Sequence, residues 1–267
     1  MFLDLKFDNN LKIIDTHCHL DSDVFLSDLD KVLKHSFENG IDKIIIPGAS
    51  IKDLKRAREI AYKYEQVYFA AGIHPYDIEH YDEYILREFL KDHKCIAVGE
   101  CGLDYYRLNG KDEEIKKKQK EVFIAQLKLA IEFKKPVIIH SREANEDTYN
   151  ILKEYSSKLN GGVLHCFNAS ELLLDLAKMG FYFGIGGIVT FKNAKKLVQI
   201  LPKIPKDKLL IETDAPYLTP EPFRGQRNTP LLTQLVGKKM SEILDISHKE
   251  LLKLCYQNSI NLFFKEN

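Results

Sequence analysis

The sequence has few cysteines, no long hydrophobic run and no excess of charge of either sign. The five cysteines of the 267-residue chain are odd in number and show no CxxC spacing, which favours reduced thiols over a disulfide framework or a thiolate zinc site. The longest apolar runs, such as residues 44–46 and 137–139, are far too short to cross a bilayer, and residues 1–10 lack the apolar core of a signal peptide. We therefore expect a cytoplasmic protein that does not associate with membranes.

The charge balance limits how this chain could bind a polyanion. Lys and Arg together number 39, as do Asp and Glu, so the net charge at neutral pH is zero. No general basic field would hold nucleic acid, and a passive nucleic-acid-binding protein is disfavoured. An enzyme acting on a polyanion would need a local basic patch or metal ions.

Short apolar, β-branched runs alternate with amphipathic helical patterns along the chain. We expect strands at 12–15, 43–47, 67–71, 96–100, 137–140, 162–165, 182–185 and 209–212, each buried on both faces as in a parallel sheet. Helical patterns cover 28–39, 52–64, 81–91, 113–133, 145–158, 171–178, 194–201, 229–244 and 248–264.

This alternation predicts an α/β protein built from βαβ units. No GxGxxG motif follows the first strand, and chemically active residues end many different strands. Both features favour a closed (β/α)₈ TIM barrel over an open doubly wound sheet. Because no Pro-, Gly- or Ser-rich linker divides the chain, we expect a single domain over residues 1–267.

The strongest local signal is the sequence DTHCH at residues 15–19, where the first strand ends. Side chains alternate along extended backbone, so His17 and His19 point to one face and Cys18 to the other. Two imidazoles on one side of a strand end are able to bind the same metal ion. The pair by itself is only moderately specific for a metal.

Four later strand ends carry further potential ligands. Glu100 ends the fourth strand, His140 the fifth and His165 the sixth, while Asp214 follows the eighth. Any one of these residues fits an ordinary hydrogen-bonded polar group at a strand end. Together they would gather many polar side chains at one rim of a barrel, which is unfavourable unless they share a ligand.

Imidazole and carboxylate ligands suit Zn²⁺, Mn²⁺, Co²⁺ or Fe²⁺. Six ligands are too many for one catalytic ion with an open position, and they suit two ions that share a carboxylate, for which Glu100 is well placed. Asp214 is a candidate general base as well as a ligand. Glu212, two residues earlier on the same face, is a candidate to support the ligands from behind.

These motifs resemble the TatD family of metal-dependent deoxyribonucleases, within the amidohydrolase-like barrels. The resemblance extends over nearly the whole chain, in the blocks IIDTHCHLD at 13–21, GIHPY at 72–76, VGECGLDYY at 98–106, PVIIHSREA at 136–144, HCFNAS at 165–170, GIGGIVTFKNA at 184–194, ETDAPYL at 212–218 and FRGQRN at 223–228.

The resemblance implies two divalent metal ions (Mg²⁺, Mn²⁺ or Zn²⁺) and DNA, most readily single-stranded, as the substrate, with no obligate protein partner. It further implies His74 as an active-site histidine and Arg142 and Arg227 as contacts to substrate phosphates. Arg142 also fits a helix cap or a partner of Glu143, and His74 fits a turn before a proline. The implied metal sites are His17, His19, Glu100 and Asp214 for the first ion, and Glu100, His140 and His165 for the second.

Two other functions remain open at this point. A hydrolase of the same barrel acting on an ester or amide, such as a D-aminoacyl-tRNA deacylase, would use the same ligands, because a metal-activated water attacks carbon as well as phosphorus. A binding or scaffold protein that has lost catalysis would lack at least one ligand, and all six are present in the sequence.

Overall fold

The alternating pattern of the sequence folds into eight parallel strands arranged in chain order. The computed structural model describes residue 2 and residues 4–7, 10–108 and 112–265. Its strands β1 to β8 are Ile13–Asp15, Ile41–Ile46, Val67–Ala71, Cys95–Asp104, Val137–Arg142, Gly162–Leu164, Phe181–Ile185 and Leu209–Ile211. The strand order β1-β2-β3-β4-β5-β6-β7-β8 confirms the predicted (β/α)₈ class.

Helices lie between these strands and after the last one. The α-helices α1 to α8 are Leu29–Glu38, Ile51–Lys63, Glu83–Leu90, Glu113–Glu132, Asn145–Tyr155, Lys195–Ile200, Thr233–Leu244 and His248–Phe263. Short 3-10 helices occupy Asp23–Phe25, Ile78–His80, Ser156–Lys158, Leu172–Met179, Gly187–Thr190, Leu201–Lys203, Lys206–Lys208 and Pro230–Leu232. Within the described ranges, none of the helices combines the length and the apolar character that a bilayer span requires.

Backbone hydrogen bonds bring the last strand against the first. The amide of Thr16 donates to the carbonyl of Ile211 at 3.2 Å, and the amide of His19 donates to the carbonyl of Ala215 at 2.8 Å. The amide of Asp214 donates in turn to the carbonyl of His17 at 2.9 Å. This closure places the residues that follow β1 beside those that follow β8.

The strands bury side chains on both faces, as their continuous apolar character requires. In β2, Ile44 and Ile46 join the core between the strands and the helices, while Ile45 points into the barrel. The layer inside the barrel takes one residue from each strand from β2 to β8, namely Ile45, Ala70, Ala97, Ile138, Val163, Tyr182 and Leu210.

The end of α8 covers this inner layer from below. Leu262 and Phe263 belong to the same buried cluster as the inward-facing strand residues. Asn258, one turn earlier, donates to the carbonyl of Leu209 at the start of β8 (2.9 Å), which places this part of the helix at the amino-terminal end of the barrel. The opposite, carboxyl-terminal end is left for the functional residues.

Several predicted boundaries were wrong in an informative way. Strand β4 continues past Glu100 to Asp104, and β5 continues past His140 to Arg142, so neither expected ligand ends its strand. The two extensions pair with each other, with Gly102 opposite His140 and Asp104 opposite Arg142. The helix expected at 171–178 is a 3-10 helix, Leu172–Met179, ended by Gly180 in the left-handed conformation (φ 89°).

We expect Phe263→Ala to destabilise the fold, because Phe263 is only 7% exposed and covers the base of the barrel. Truncating a buried phenylalanine lowers the free energy of unfolding by about 3 kcal/mol. Urea denaturation measures this, with Leu26→Ala as the control, since Leu26 is 66% exposed. Equal stability of the two variants would contradict the packing role of α8.

Candidate metal centre at the carboxyl end of the barrel

The structure brings His17 and His19 together just beyond β1, on the same side of the chain. Their Nε2 atoms lie 3.3 Å apart. Cys18 points the other way into the core and forms a backbone bridge with Ala215. His17 is completely buried, whereas the side chain of His19 keeps 17% exposure and has an edge-to-face contact with Tyr217.

Glu100 lies between two groups of side chains and turns one carboxylate oxygen to each. Its Oε2 lies 3.2 Å from Nε2 of His17 and 4.0 Å from Nε2 of His19. Its Oε1 lies 2.9 Å from Nδ1 of His140 and 2.8 Å from Nε2 of His165. Glu100 is therefore shared by the two histidine pairs that come from opposite parts of the barrel.

Asp214 completes the first of these groups. Its Oδ1 lies 3.3 Å from Nε2 of His19 and 3.7 Å from Nε2 of His17. The backbone of Asp214 has a left-handed conformation (φ 57°), which turns the chain at this point after β8. The six predicted ligands thus form one continuous cluster.

Two glycines of β4 allow the close approach that creates this cluster. Gly99 has φ +143°, and a Cβ atom there would lie 2.5 Å from the carbonyl oxygen of Ile138. Gly102 has φ +146°, and a Cβ atom there would overlap the carbonyl oxygen of His140. Only glycine fits both positions, so the sequence Gly-Glu-Cys-Gly lets Glu100 reach His140 across the strand pair.

Three further carboxylates support the cluster from behind. Asp104, which the sequence analysis missed, accepts a hydrogen bond from Nε2 of His140 at 2.9 Å. Glu212 accepts from the amide of Cys166 at 2.5 Å, and its Oε1 lies 3.6 Å from Nδ1 of His165. Asp15 accepts from the amide and the hydroxyl of Thr213 at 3.0 and 2.6 Å and ties β1 to β8.

Asp104 could have been found from the sequence by extending the strand pattern. Glu100, Gly102 and Asp104 are two positions apart, so all three face the same side of an extended strand. The carboxylate fixes the ring of His140 with Nδ1 turned towards Glu100, which is the usual arrangement around histidine metal ligands.

His74 lies against the same cluster but is oriented differently. Its Nδ1 accepts a hydrogen bond from the amide of Tyr76 at 3.1 Å, and its Nε2 lies 3.7 Å from Oε1 of Glu100. Burial lowers the pKa of His74 to about 4, against the attraction of Glu100. The ring is neutral at physiological pH and carries its proton on Nε2, pointing into the site.

The two predicted phosphate contacts occupy different environments. Arg142 is exposed at the end of β5, with its guanidinium 3.6 Å from the ring centre of Tyr106. Arg227 instead makes a two-pronged ion pair with Asp28, at 3.0 and 2.6 Å, and donates to the carbonyl of Val24 at 2.8 Å. This pair accounts for Arg227 structurally, and its phosphate contact stays an untested prediction.

The electrostatics of the cluster favour a bound cation. Burial on its own raises the pKa of Glu100, but the neighbouring His165 and His17 hold that pKa well below its usual range. Burial likewise opposes ionisation of Asp214, yet the bond with His19 lowers its pKa, and the same pair raises the pKa of His19 to about 9. Two negative charges, one on buried Glu100 and one on half-buried Asp214, therefore stay ionised at neutral pH and attract positive charge.

The geometry also fits metal coordination. Nitrogen atoms of neighbouring imidazoles lie 3.3 Å apart in both histidine pairs, His17 with His19 and His140 with His165. Ligands placed about 2.0–2.1 Å from a tetrahedral ion lie roughly this far from one another. Within the described residues, the Nδ1 atoms of His17 and His165 are buried without a hydrogen-bond partner, and both rings turn Nε2 towards Glu100.

A cleft of about 520 Å³ opens onto the cluster. His140, His165 and Asp214 line one side of it, together with Arg142 at its edge. The volume is within the range of small-ligand sites, roughly 300–1,000 Å³. A substrate in this cleft would reach the ligand cluster directly.

Comparisons with known proteins give consistent results. A family model described as TatD related DNase matches residues 14–264. The metal-dependent hydrolase YabD of Bacillus subtilis is 40% identical over 255 residues, which cover 94% of this chain and 98% of that protein. The 3'-5' ssDNA/RNA exonuclease TatD of Shigella flexneri is 36% identical over 228 residues, covering 82% of this chain and 86% of its own length.

A solved structure resembles the whole barrel. The crystal structure of the TatD homolog YJJV from Escherichia coli superposes with a TM-score of 0.88 at 31% sequence identity. The alignment covers 95% of this chain and 98% of that one.

We expect Asp104→Asn to weaken metal binding, because the amide no longer holds the His140 ring as a charged carboxylate does. Loss of such a supporting carboxylate reduces metal affinity about 10–100-fold. Titration calorimetry with Zn²⁺ or Mn²⁺ measures the change. The control is Asp175→Asn, whose side chain pairs with Lys178 on the surface and should leave affinity unchanged.

Proposed function

Because the chain belongs to the TatD-related DNase family, we propose that it is a deoxyribonuclease that hydrolyses phosphodiester bonds of single-stranded DNA with two divalent metal ions. Membership of the family already makes it a metal-dependent hydrolase. Beyond family membership, the proposal specifies that the substrate is DNA and that two ions bind. The exonuclease name carried by the Shigella flexneri relative supports the substrate.

The observation that carries the two-ion proposal is the position of Glu100. Its Oε2 faces His17 and His19, which also lie beside Asp214, and its Oε1 faces His140 and His165. A single ion would leave one of these oxygens and one histidine pair without a role. A carboxylate that bridges two ions uses both.

Each part of the cluster then has a defined task. The four histidines, Glu100 and Asp214 would hold the two divalent ions, which would supply Lewis-acid chemistry to the phosphodiester and to a water molecule. Asp214 is ionised, and it lines the cleft as well as the ligand cluster, so it is placed to accept a proton from the attacking water. Glu100 and the four histidines would keep the two ions in position.

His74 and Arg142 act on the substrate in this scheme. The Nε2–H group of His74 points into the site and donates a hydrogen bond to an oxygen of the phosphodiester. Arg142, exposed at the edge of the cleft and held over Tyr106, approaches a phosphate from the solvent side. Both roles are hydrogen bonding and charge pairing, with no proton lost by the protein.

We expect Asp214→Asn to lower kcat on single-stranded DNA about 10²–10⁴-fold, the usual loss on removing a general base. The measurement is release of nucleotides from a labelled oligonucleotide with added Mg²⁺ or Mn²⁺, with EDTA as the blank. Glu242→Gln serves as the control, because Glu242 makes an exposed ion pair with Lys239 on α7. The proposal fails if wild-type protein, loaded with each metal in turn, cleaves D-aminoacyl-tRNA but no DNA.

Metal content tests the two-ion part separately. Wild-type protein purified without chelator should carry two ions per chain, and Glu100→Gln should lose at least one of them, because the amide cannot bridge as a carboxylate does. Elemental analysis by mass spectrometry measures this. One ion in the wild type at saturating metal would contradict the proposal.

His74→Ala should lower kcat about 10²-fold, as expected for loss of one donor to the transition state. Since the pKa of His74 is about 4, the ring does not titrate between pH 6 and 9, and nearby cations would lower that pKa further. The pH profile of the variant should therefore keep its shape at a lower rate. A profile that loses one of its limbs would assign His74 a proton-transfer role instead.

A further inference from the structure

The cleft beside the metal centre continues well beyond the ligands. From His140 and His165 it extends along residues that follow β6, β7 and β8. Away from the ligands its lining is mostly apolar, formed by Phe167, Ala169, Ile188, Ala194, Leu197 and Leu218. A group bonded to a phosphate at the metal centre would meet this apolar surface.

Two amide side chains line the cleft, Asn168 and Asn193, and the first of them is bonded to the protein itself. Nδ2 of Asn168 donates to the carbonyl of Ser141 at 3.1 Å and to Oδ1 of Asn145 at 2.7 Å. Oδ1 of Asn168 accepts from the amide of Ser170 at 3.1 Å. Asn168 is therefore engaged with the protein, and the cleft offers mainly apolar contact, with Asn193 as its other amide side chain.

Four basic side chains belong to the segments beside this cleft, and we call them the cationic rim: Lys192, Lys195, Lys196 and Arg224. Lys192 and Lys195 flank the lining residues Asn193 and Ala194 in the sequence. All four are exposed, and Lys196 lines the cleft itself. Arg224 lies over the ring of Phe191, with its guanidinium 4.2 Å from the ring centre. The amide of Glu221 donates to the hydroxyl of Thr190 at 2.8 Å, which joins the loop of Arg224 to the segment that carries the lysines.

The rim lies near one acidic side chain, Glu171, whose pKa is lowered by Lys203 and in smaller part by Lys196. Among the residues that the structure describes, none forms an ion pair with any of these four side chains. Nearby Lys203, in contrast, pairs with Glu171, and Arg227 pairs with Asp28. In a chain of zero net charge, four unpaired cations on one edge of the active-site cleft form a local site for negative charge.

We propose that this cleft is a nucleotide subsite, in which the apolar walls take the base next to the cleaved phosphate and the cationic rim takes the phosphates of the strand beyond it. The inference rests on the proposed nuclease function. Apolar contact with a base and basic contact with the backbone are the two elements of single-strand binding that tolerates any sequence. The subsite would favour a polynucleotide over a mononucleotide ester and show little preference among bases.

The rim is tested with the double variant Lys196→Glu, Arg224→Glu. The matched control is Lys158→Glu, Lys206→Glu, which changes the same charge in exposed residues that precede β6 and β8, at the opposite end of the barrel. At low salt, the rim variant should lose roughly tenfold in kcat/KM on a long oligothymidylate relative to the control. Its dependence on salt should weaken by about 0.7 in log–log slope for each lost phosphate contact.

The salt dependence of kcat/KM distinguishes the loss of phosphate contacts from a general folding defect. Rim and control variants should converge as salt rises, because screening removes the contacts from both, whereas a folding defect persists at every salt concentration. Metal content and thermal unfolding are measured for each variant alongside. Equal kcat/KM of the two variants at low salt, with the wild type active on DNA, overturns the subsite. A wild type inactive on DNA overturns the proposed function instead.

The apolar part is tested through the substrate, so the protein stays unchanged. A single abasic residue is moved along an oligothymidylate, and it should slow cleavage of the adjacent bond about tenfold, since stacking of that base is lost. Oligonucleotides of each of the four bases should be cleaved at similar rates. Cleavage beside the abasic residue at the full rate, or a strong preference for one base, would overturn the assignment of these walls.

Discussion

The structure of the site depends on one buried carboxylate, Glu100. Glu100 is 3% exposed, and a buried charged side chain is strongly unfavourable unless opposite charge or hydrogen bonds compensate for its lost hydration. The protein places two histidine pairs around it, one after β1 and one from β5 and β6. Removal of the carboxylate would leave four imidazoles facing each other. Glu100 therefore determines both the geometry of the ligands and their charge balance.

Strand β4 makes this arrangement possible because glycine occupies two of its positions. An ordinary strand residue carries a Cβ atom, and at positions 99 and 102 that atom would collide with the backbone of β5. With glycine there, β4 and β5 run together beyond the point where the other strands end. This extension carries Glu100 and Asp104 on one strand and His140 and Arg142 on the other, so these two strands supply much of the site.

The sequence predicted the eight strands and the family correctly, and both are confirmed. Parallel strands buried on both faces leave continuous apolar runs, a signal that needs no tertiary information. The extensions of β4 and β5 were missed because their residues are glycine, cysteine and polar side chains, which resemble a loop until the partner strand is known. Asp104 was missed with them.

Arg227 is a second residue whose environment could not be predicted from the sequence. Its partner Asp28 is 199 positions away in the sequence, so no local pattern distinguishes an arginine held by an aspartate from one free to bind phosphate. Arg224, three residues earlier, has no acidic partner among the described residues and carries the free positive charge of this loop. Motif resemblance identifies which loop is basic, while contacts decide which of its arginines is available.

Because the chain has zero net charge, the local distribution of charge decides where a polyanion can bind. Without a general positive field, a polyanion gains affinity only where cations are concentrated and not neutralised by neighbours. Two such places flank the apolar cleft: the ligand cluster, if it holds divalent ions as we propose, and the cationic rim. In the proposed subsite, a strand bound at both ends would be held with one nucleotide against the apolar walls. Positioning of the reactive phosphate would then follow from contacts on either side of it, and the metal ligands themselves would need no selectivity for DNA.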